Sequence, residues 1–263
     1  VFVCFCAIFK HCVFPLLGKQ EYKITYIDNF DRFNRKFTLV YEILTIYTVH
    51  KNLLTITTLE KPMGVLVGRQ APDFTAAAVL GNGEIVDTFN FAEATKGKKA
   101  VVFFYPLDFT FVCPSELIAF DKRLAEFNKR GVEVIGVSID SQFSHNAWRN
   151  TAVADGGIGQ VGYTLAADVK HEICKAYDVE HPEAGVAFRG SFLIDEEGNV
   201  RHQVVNDLPL GRNIDEMIRM VDALAFHSEN GEVCPAGWTE GKKGMDASPE
   251  GVAKFLSENE GEL

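Results

Sequence analysis

The sequence predicts an α/β fold, a central mixed sheet with helices on both faces. Three observations predict it. Residues 100–105 (AVVFFY) form an unbroken apolar run, the pattern of a strand covered on both faces. Residues 114–130 carry Leu117, Phe120, Leu124 and Phe127 in steps of three and four, a single helical stripe. Strand-type and helix-type segments then alternate along the chain, as βα units do.

The elements follow in order. Pro106 ends the first strand, Pro114 suits the first helical position, and Gly131 supplies the stop for one helix over 114–130. Residues 132–139 (VEVIGVSI) read as the next strand. Short helices are expected at 144–151 and 171–177. Residues 188–195 and 200–205 read as strands joined by a Glu196-Glu197-Gly198-Asn199 turn. Ile214, Met217, Ile218, Val221, Leu224 and Ala225 stripe a long helix, and a last helix is expected at 249–257. This order resembles the layout of the thioredoxin-like fold.

Composition separates the chain into unequal parts. Of 263 residues, 47% are hydrophobic and 24% charged, ordinary values for a globular protein. The net charge of −10 argues against nucleic acid or an anionic membrane as main partner. No apolar run is long enough for a spanning helix. Residues 1–62 carry a net charge of +3 and one glycine, whereas the remainder carries −13 and 21 glycines. The expected organisation is a leader over 1–62, a domain over 63–228, and a C-terminal arm over 229–263. The leader lacks a basic start, an A-x-A-like cleavage site and the Ser/Arg-rich, acid-poor make-up of a transit peptide. The preferred expectation is non-native, translated upstream sequence with Met63 as the start. A cleaved targeting segment and an extra domain are the alternatives.

Six cysteines are too sparse for a disulfide scaffold, so each matters as a single thiol. Cys4 and Cys6 form a C-x-C without a matching downstream pair, a weak metal signal. Cys113 is the informative one. It follows a buried strand and opens a helix, where unpaired N–H groups and the macrodipole favour an anion and lower a thiol from about 8.5. A lone cysteine is more often a small buried hydrophobe. Here strand end, Pro106, Thr110 and helix start coincide, which favours the nucleophile. Three residues after Cys113 stands Glu116, so a local C-x-x-C pair is excluded. The seven histidines show no metal-binding spacing, and His171 with Cys174 lacks a second pair. Residues 157–162 fit G-x-G-x-x-G, but no strand precedes them and no helix follows, so no nucleotide site is expected. No cofactor or metal is expected.

Pro106-x-x-x-Thr110-x-x-Cys113 resembles the P-x-x-x-T-x-x-C signature of peroxiredoxins. The fuller FYPLDFTFVCPSE is similar to the typical two-cysteine subgroup, near the bacterial alkyl hydroperoxide reductase C-like enzymes. Residues 68–74 (GRQAPDF), 189–195 (RGSFLID) and 231–238 (GEVCPAGW) extend the resemblance over about 65–256. The resemblance implies a thiol-specific peroxidase with Cys113 as the attacking, peroxidatic cysteine. Thr110, backbone N–H groups and Arg189 would stabilise the leaving oxygen. Pro106 would shield the thiolate, and Glu116 would orient arginine side chains. Cys234 matches the resolving cysteine, 121 residues from Cys113. In this subgroup it acts on the other subunit, which implies a head-to-tail homodimer, commonly built into a decamer.

Cys174 is expected in the core. Thioredoxin or a flavoprotein would be the reductant, and the cytoplasm the compartment unless 1–62 is a transit segment. A redox-switched holdase and a peroxide-signalling relay are the alternatives. Gly156-Gly157-Ile158-Gly159 resembles a loop of overoxidation-sensitive relatives. The companion Tyr-Phe pair is missing, since Phe255 is followed by Leu256.

Overall fold

Alternation along the central strands divides the interior into two cores. In a computed structural model, which describes residues 64–262, seven strands form one mixed sheet in the order β2-β1-β5-β4-β3-β6-β7. The strands are β1 (Thr75–Val79), β2 (Ile85–Asn90), β3 (Lys99–Phe104), β4 (Val132–Ser138), β5 (Thr164–Ala167), β6 (Arg189–Ile194) and β7 (Val200–Asn206). The helices are α1 (Phe91–Ala94), α2 (Cys113–Lys122), α3 (Leu124–Lys129), α4 (Gln142–Arg149), α5 (Glu172–Ala176), α6 (Ile214–Asn230) and α7 (Pro249–Asn259). β3 pairs in parallel with β4, and β4 with β5. β6 runs antiparallel beside β3, and β7 beside β6.

Successive strand residues point to opposite faces. Ala100, Val102 and Phe104 of β3 enter one core with Ile135, Val137, Phe192, Cys174 and Tyr177. Val101 and Phe103 enter the other with Cys113, Leu117, Phe120, Phe127, Trp148, Met217 and Val221. Cys113 and Cys174 therefore lie on opposite faces of the sheet.

The expected strands and helices appear with ends shifted by one or two residues, apart from two differences. The helix expected over 114–130 is two, α2 and α3, separated at Arg123 (φ −107°, ψ 3°). The Arg123 guanidinium binds the Asp215 carboxylate and the Ala119 carbonyl. The apolar stripe continues across the break, so periodicity does not register it. Gly131 does close α3, at φ +68°, where a side chain would be strained. The β1–β2 hairpin and α1 precede the first element read from sequence. β1 is Thr-Ala-Ala-Ala-Val, three alanines with little strand preference of their own, and it is held by pairing to β2 and β5. The Gly-rich stretch 157–162 runs from a 3₁₀ turn (Val153–Asp155) into β5. A side chain at Gly157 would place its Cβ 2.0 Å from the Thr151 carbonyl oxygen, so this loop packs directly against the end of α4.

Beyond α6 the chain folds back. Trp238 is buried, lies tilted against Phe226 of α6 (4.8 Å between ring centres), and donates to the Lys242 carbonyl at 3.0 Å. α7 is capped by Ser248, whose hydroxyl accepts from the Gly251 N–H, but it buries none of its residues. No helix among the described residues is long and apolar enough to cross a membrane. The leader over 1–62, Met63, Cys4 and Cys6 lie outside the described residues.

Candidate active site

The site is assembled where β3 ends and α2 begins. The chain leaves the sheet through buried Pro106, crosses residues 107–112, and enters α2 with Cys113 as its first residue and Pro114 as its second. Val112, the N-cap, provides no side-chain cap, so no side chain competes for the donors of the first turn. Cys113 is fully buried.

Arg189, the first residue of β6, reaches the sulfur: Nη1 lies 3.4 Å from Cys113 Sγ and 2.6 Å from Glu116 Oε2. Its Nε donates to the Leu208 carbonyl at 2.7 Å, which fixes the plane of the guanidinium. Glu116, on the first turn of α2, is only 3% exposed. Oε1 accepts from the Arg212 main-chain N–H and Nε, both at 2.9 Å, and Oε2 from Arg212 Nη2 at 3.0 Å. Burial would raise the Glu116 carboxyl, but Arg212 and Arg189 outweigh it, and the carboxyl sits below its ordinary value. Burial also works against the Arg189 cation, yet its contacts with Cys113 and Glu116 make the net shift upward. Two guanidinium groups thus face one carboxylate, an excess of one positive charge beside the Cys113 sulfur.

Thr110 spends its hydroxyl hydrogen on the Leu107 carbonyl at 2.7 Å. With that hydrogen spent, the Thr110 oxygen is left as an acceptor, where the resemblance implied a donor. Sequence reading missed Arg212. It donates to the Phe104 and Gly190 carbonyls, each at 2.8 Å, and its guanidinium lies 5.2 Å from the centre of the Phe103 ring. Its only sequence signal is a basic residue just before the Asn213 helix cap, weak without knowledge that a buried Glu116 needs a second counter-charge.

Cys234 makes none of these hydrogen bonds. It follows Val233, which is bridged to Met245, and its Sγ donates to the Ala223 carbonyl at 3.5 Å. Burial raises its thiol while Arg219 partly opposes. Cys113, Cys174 and Cys234 are all free thiols. Burial and the neighbouring Asp168 push the Cys174 thiol far up. His171, Cys174 and Glu180 offer ligand-type atoms within 4.8 Å of one another, with His171 hydrogen-bonded to Glu180 at 2.7 Å and the Lys175 ammonium 3.7 Å from the same carboxylate.

Residues 67–203 match the AhpC/TSA family, and residues 223–258 the C-terminal domain of 1-Cys peroxiredoxin. The chain is 56% identical over 191 residues to alkyl hydroperoxide reductase C of Buchnera aphidicola subsp. Schizaphis graminum, covering 73% of this chain and 96% of that protein. This chain belongs to the AhpC/TSA family of peroxiredoxins. Alkyl hydroperoxide reductase C of Helicobacter pylori is also 56% identical, over 195 residues, covering 74% of this chain and 98% of that one. Among solved structures, the reduced 2-Cys peroxiredoxin of Plasmodium vivax is 46% identical and superposes with a TM-score of 0.71, covering 73% of this chain and 99% of that one. The chain is accordingly a peroxiredoxin-type thiol peroxidase with the thioredoxin-like fold expected from sequence. The peroxiredoxin match covers the β3–α2 junction, Arg189 and, in its C-terminal part, Cys234.

Proposed function

We propose that the chain reduces hydrogen peroxide and organic hydroperoxides with Cys113 as nucleophile. The observation that carries this is the buried Cys113–Arg189–Glu116–Arg212 cluster: a thiolate at Cys113 supplies the negative charge that two arginines and one carboxylate leave unbalanced. The thiolate attacks one peroxide oxygen, the O–O bond breaks, and the departing oxygen leaves as water or alcohol after taking a proton. Arg189 stabilises the charge that develops as the bond lengthens. Thr110, already donating to Leu107, accepts from the peroxide O–H and aligns it for attack. Pro106 closes the sheet side against water, and Glu116 holds both arginines in register.

The sulfenic acid on Cys113 condenses with Cys234 of a partner subunit, losing water and forming a disulfide. The separate surroundings of Cys113 and Cys234 within one chain support the two-chain route. A dithiol protein, thioredoxin or a flavoprotein, then reduces the disulfide in the cytoplasm. Self-association to a homodimer and then a decamer is supported by Phe109, Phe111 and Phe143, large apolar side chains left in water near the loop, Phe111 being 98% exposed. The test is peroxide consumption with a reducing system. Cys113→Ser abolishes turnover, and peroxide-treated wild type runs as a disulfide-linked dimer that Cys234→Ser cannot form. Undiminished turnover in Cys113→Ser, or a bridge mapped within one chain, overturns the respective part.

A further inference from the structure

Behind the loop of residues 107–112 lies a buried polar network that the reaction scheme leaves unused. Its hub is Asp108. Oδ1 accepts from the Tyr105 hydroxyl at 2.8 Å. Oδ2 accepts from the Ser144 hydroxyl at 2.8 Å and from His145 Nδ1 at 2.8 Å. The Asp108 N–H donates to Asp140 Oδ2 at 2.8 Å, and Ser138 donates to the same oxygen at 2.8 Å. His145 is fully buried, and its Nε2 faces the Ala166 carbonyl of β5 at 3.4 Å. Burial and Asp108 push the Tyr105 hydroxyl far up, so it stays a neutral donor.

The residue after the hub is Phe109, which holds φ at +54° without being glycine. Such a conformation costs about 1–3 kcal/mol and persists only where its surroundings over-determine it. Here α4 does so from one side. Ser144 and His145 grip Asp108, and the Trp148 ring lies 5.7 Å from the Phe109 ring. Thr110 comes next in the chain. Cys113, by contrast, opens α2 and is held by Arg189 of β6, and none of the hydrogen bonds of Arg189 or Glu116 among the described residues runs to His145.

We infer that His145 and Asp108 are positioning residues for peroxide reduction, holding residues 107–112 in the conformation that points the Thr110 hydroxyl at the peroxide. The inference rests on Cys113 being the attacking thiol. Because Thr110 and Cys113 are held by separate groups, the two can be uncoupled. Loss of the His145–Asp108 bond misorients the peroxide without altering the sulfur.

The test compares two reactions of Cys113 in the full chain, oxidation by hydrogen peroxide and alkylation by iodoacetamide. Alkylation needs the thiolate but not an oriented peroxide. His145→Ala should lower the peroxide rate constant by about tenfold or more, equivalent to about 1.4 kcal/mol of transition-state stabilisation, and leave the alkylation rate unchanged. His145→Asn returns an amide N–H to the place of Nδ1 and should recover most of the peroxide rate. His145→Gln, whose amide lies at the place of Nε2, should not. Ser144→Ala, which removes one bond to the hub and no charge, should show a smaller loss of the same kind and decides the matter if His145→Ala does not fold. Equal losses in both reactions, or no difference between the Asn and Gln variants, overturn the inference. A wild-type Cys113 that is alkylated but not oxidised by peroxide overturns the reading of the site instead.

Discussion

Replacing Glu116 by Gln removes one buried charge and changes almost no volume. The carboxylate takes four donors, two on each oxygen: the Arg212 N–H and Nε on Oε1, and Arg189 Nη1 and Arg212 Nη2 on Oε2. An amide has one carbonyl oxygen, so whichever way it turns, two of the four bonds are lost and its NH₂ faces guanidinium donors. At about 1.5–3 kcal/mol for each charge-assisted bond the loss is about 3–6 kcal/mol. Breaking a buried ion pair on one side gives a similar figure, about 3–5 kcal/mol. Urea unfolding at fixed protein concentration measures it. With a slope of about 2 kcal/mol/M, a loss of about 4 kcal/mol lowers the midpoint by about 2 M. The pH dependence has a definite sign. Because the folded state lowers the Glu116 carboxyl, its contribution is complete above the ordinary value of 4.5 and fades as pH falls through the lowered one. The gap between wild type and Glu116→Gln should therefore be full at pH 7 and narrow in acid. A gap under about 1 kcal/mol at pH 7, within the range of exposed pairs, would refute the reasoning, as would a gap that widens on acidification.

Three further outcomes are expected. Cys174→Ser should leave peroxide turnover intact, since its thiol lies across the sheet from Cys113; a large loss in a steady-state assay would mean that it, and not Cys234, resolves the sulfenic acid. Removal of residues 1–62 should leave activity unchanged, because the family match begins at residue 67; truncation that abolishes folding or turnover would make the leader part of the domain. Sulfinic acid on Cys113, followed by mass spectrometry at rising peroxide, should accumulate less readily than in relatives bearing both a G-G-x-G loop and a C-terminal Tyr-Phe. α7 carries Phe255-Leu256 in place of that pair, and none of its residues is buried; equal sensitivity in a side-by-side assay would show that the missing pair does not matter.

What was legible in the sequence was whatever is encoded within a few residues. The apolar run at 100–105 and the Pro106-Thr110-Cys113 spacing each carry their own signal; the first gives the strand β3, and the second points to the family and to the proposed nucleophile. Arg212 was not legible because its meaning depends on Glu116, 96 residues away. The Asp108–His145 bond spans 37 residues and joins two residue types that are individually unremarkable in loops and helices. β1 was missed because three alanines specify nothing until two neighbouring strands claim their backbone. The break at Arg123 was missed because the helical stripe serves two short helices as well as one long one.

The unbalanced arginine charge beside Cys113 has a redox consequence. A charge that favours the thiolate favours the reduced enzyme, whereas a disulfide sulfur drawn out of the cluster leaves Arg189 and Arg212 sharing one carboxylate. Every 1.4 kcal/mol by which the reduced form is preferred raises the potential of a two-electron couple by about 30 mV. If Cys113 is the attacking thiol, as proposed, the cluster that would activate it would also make its disulfide a stronger oxidant. On the same reading, electrons from a dithiol reductant would run downhill into the site, and the resting enzyme would be drawn back to the dithiol form.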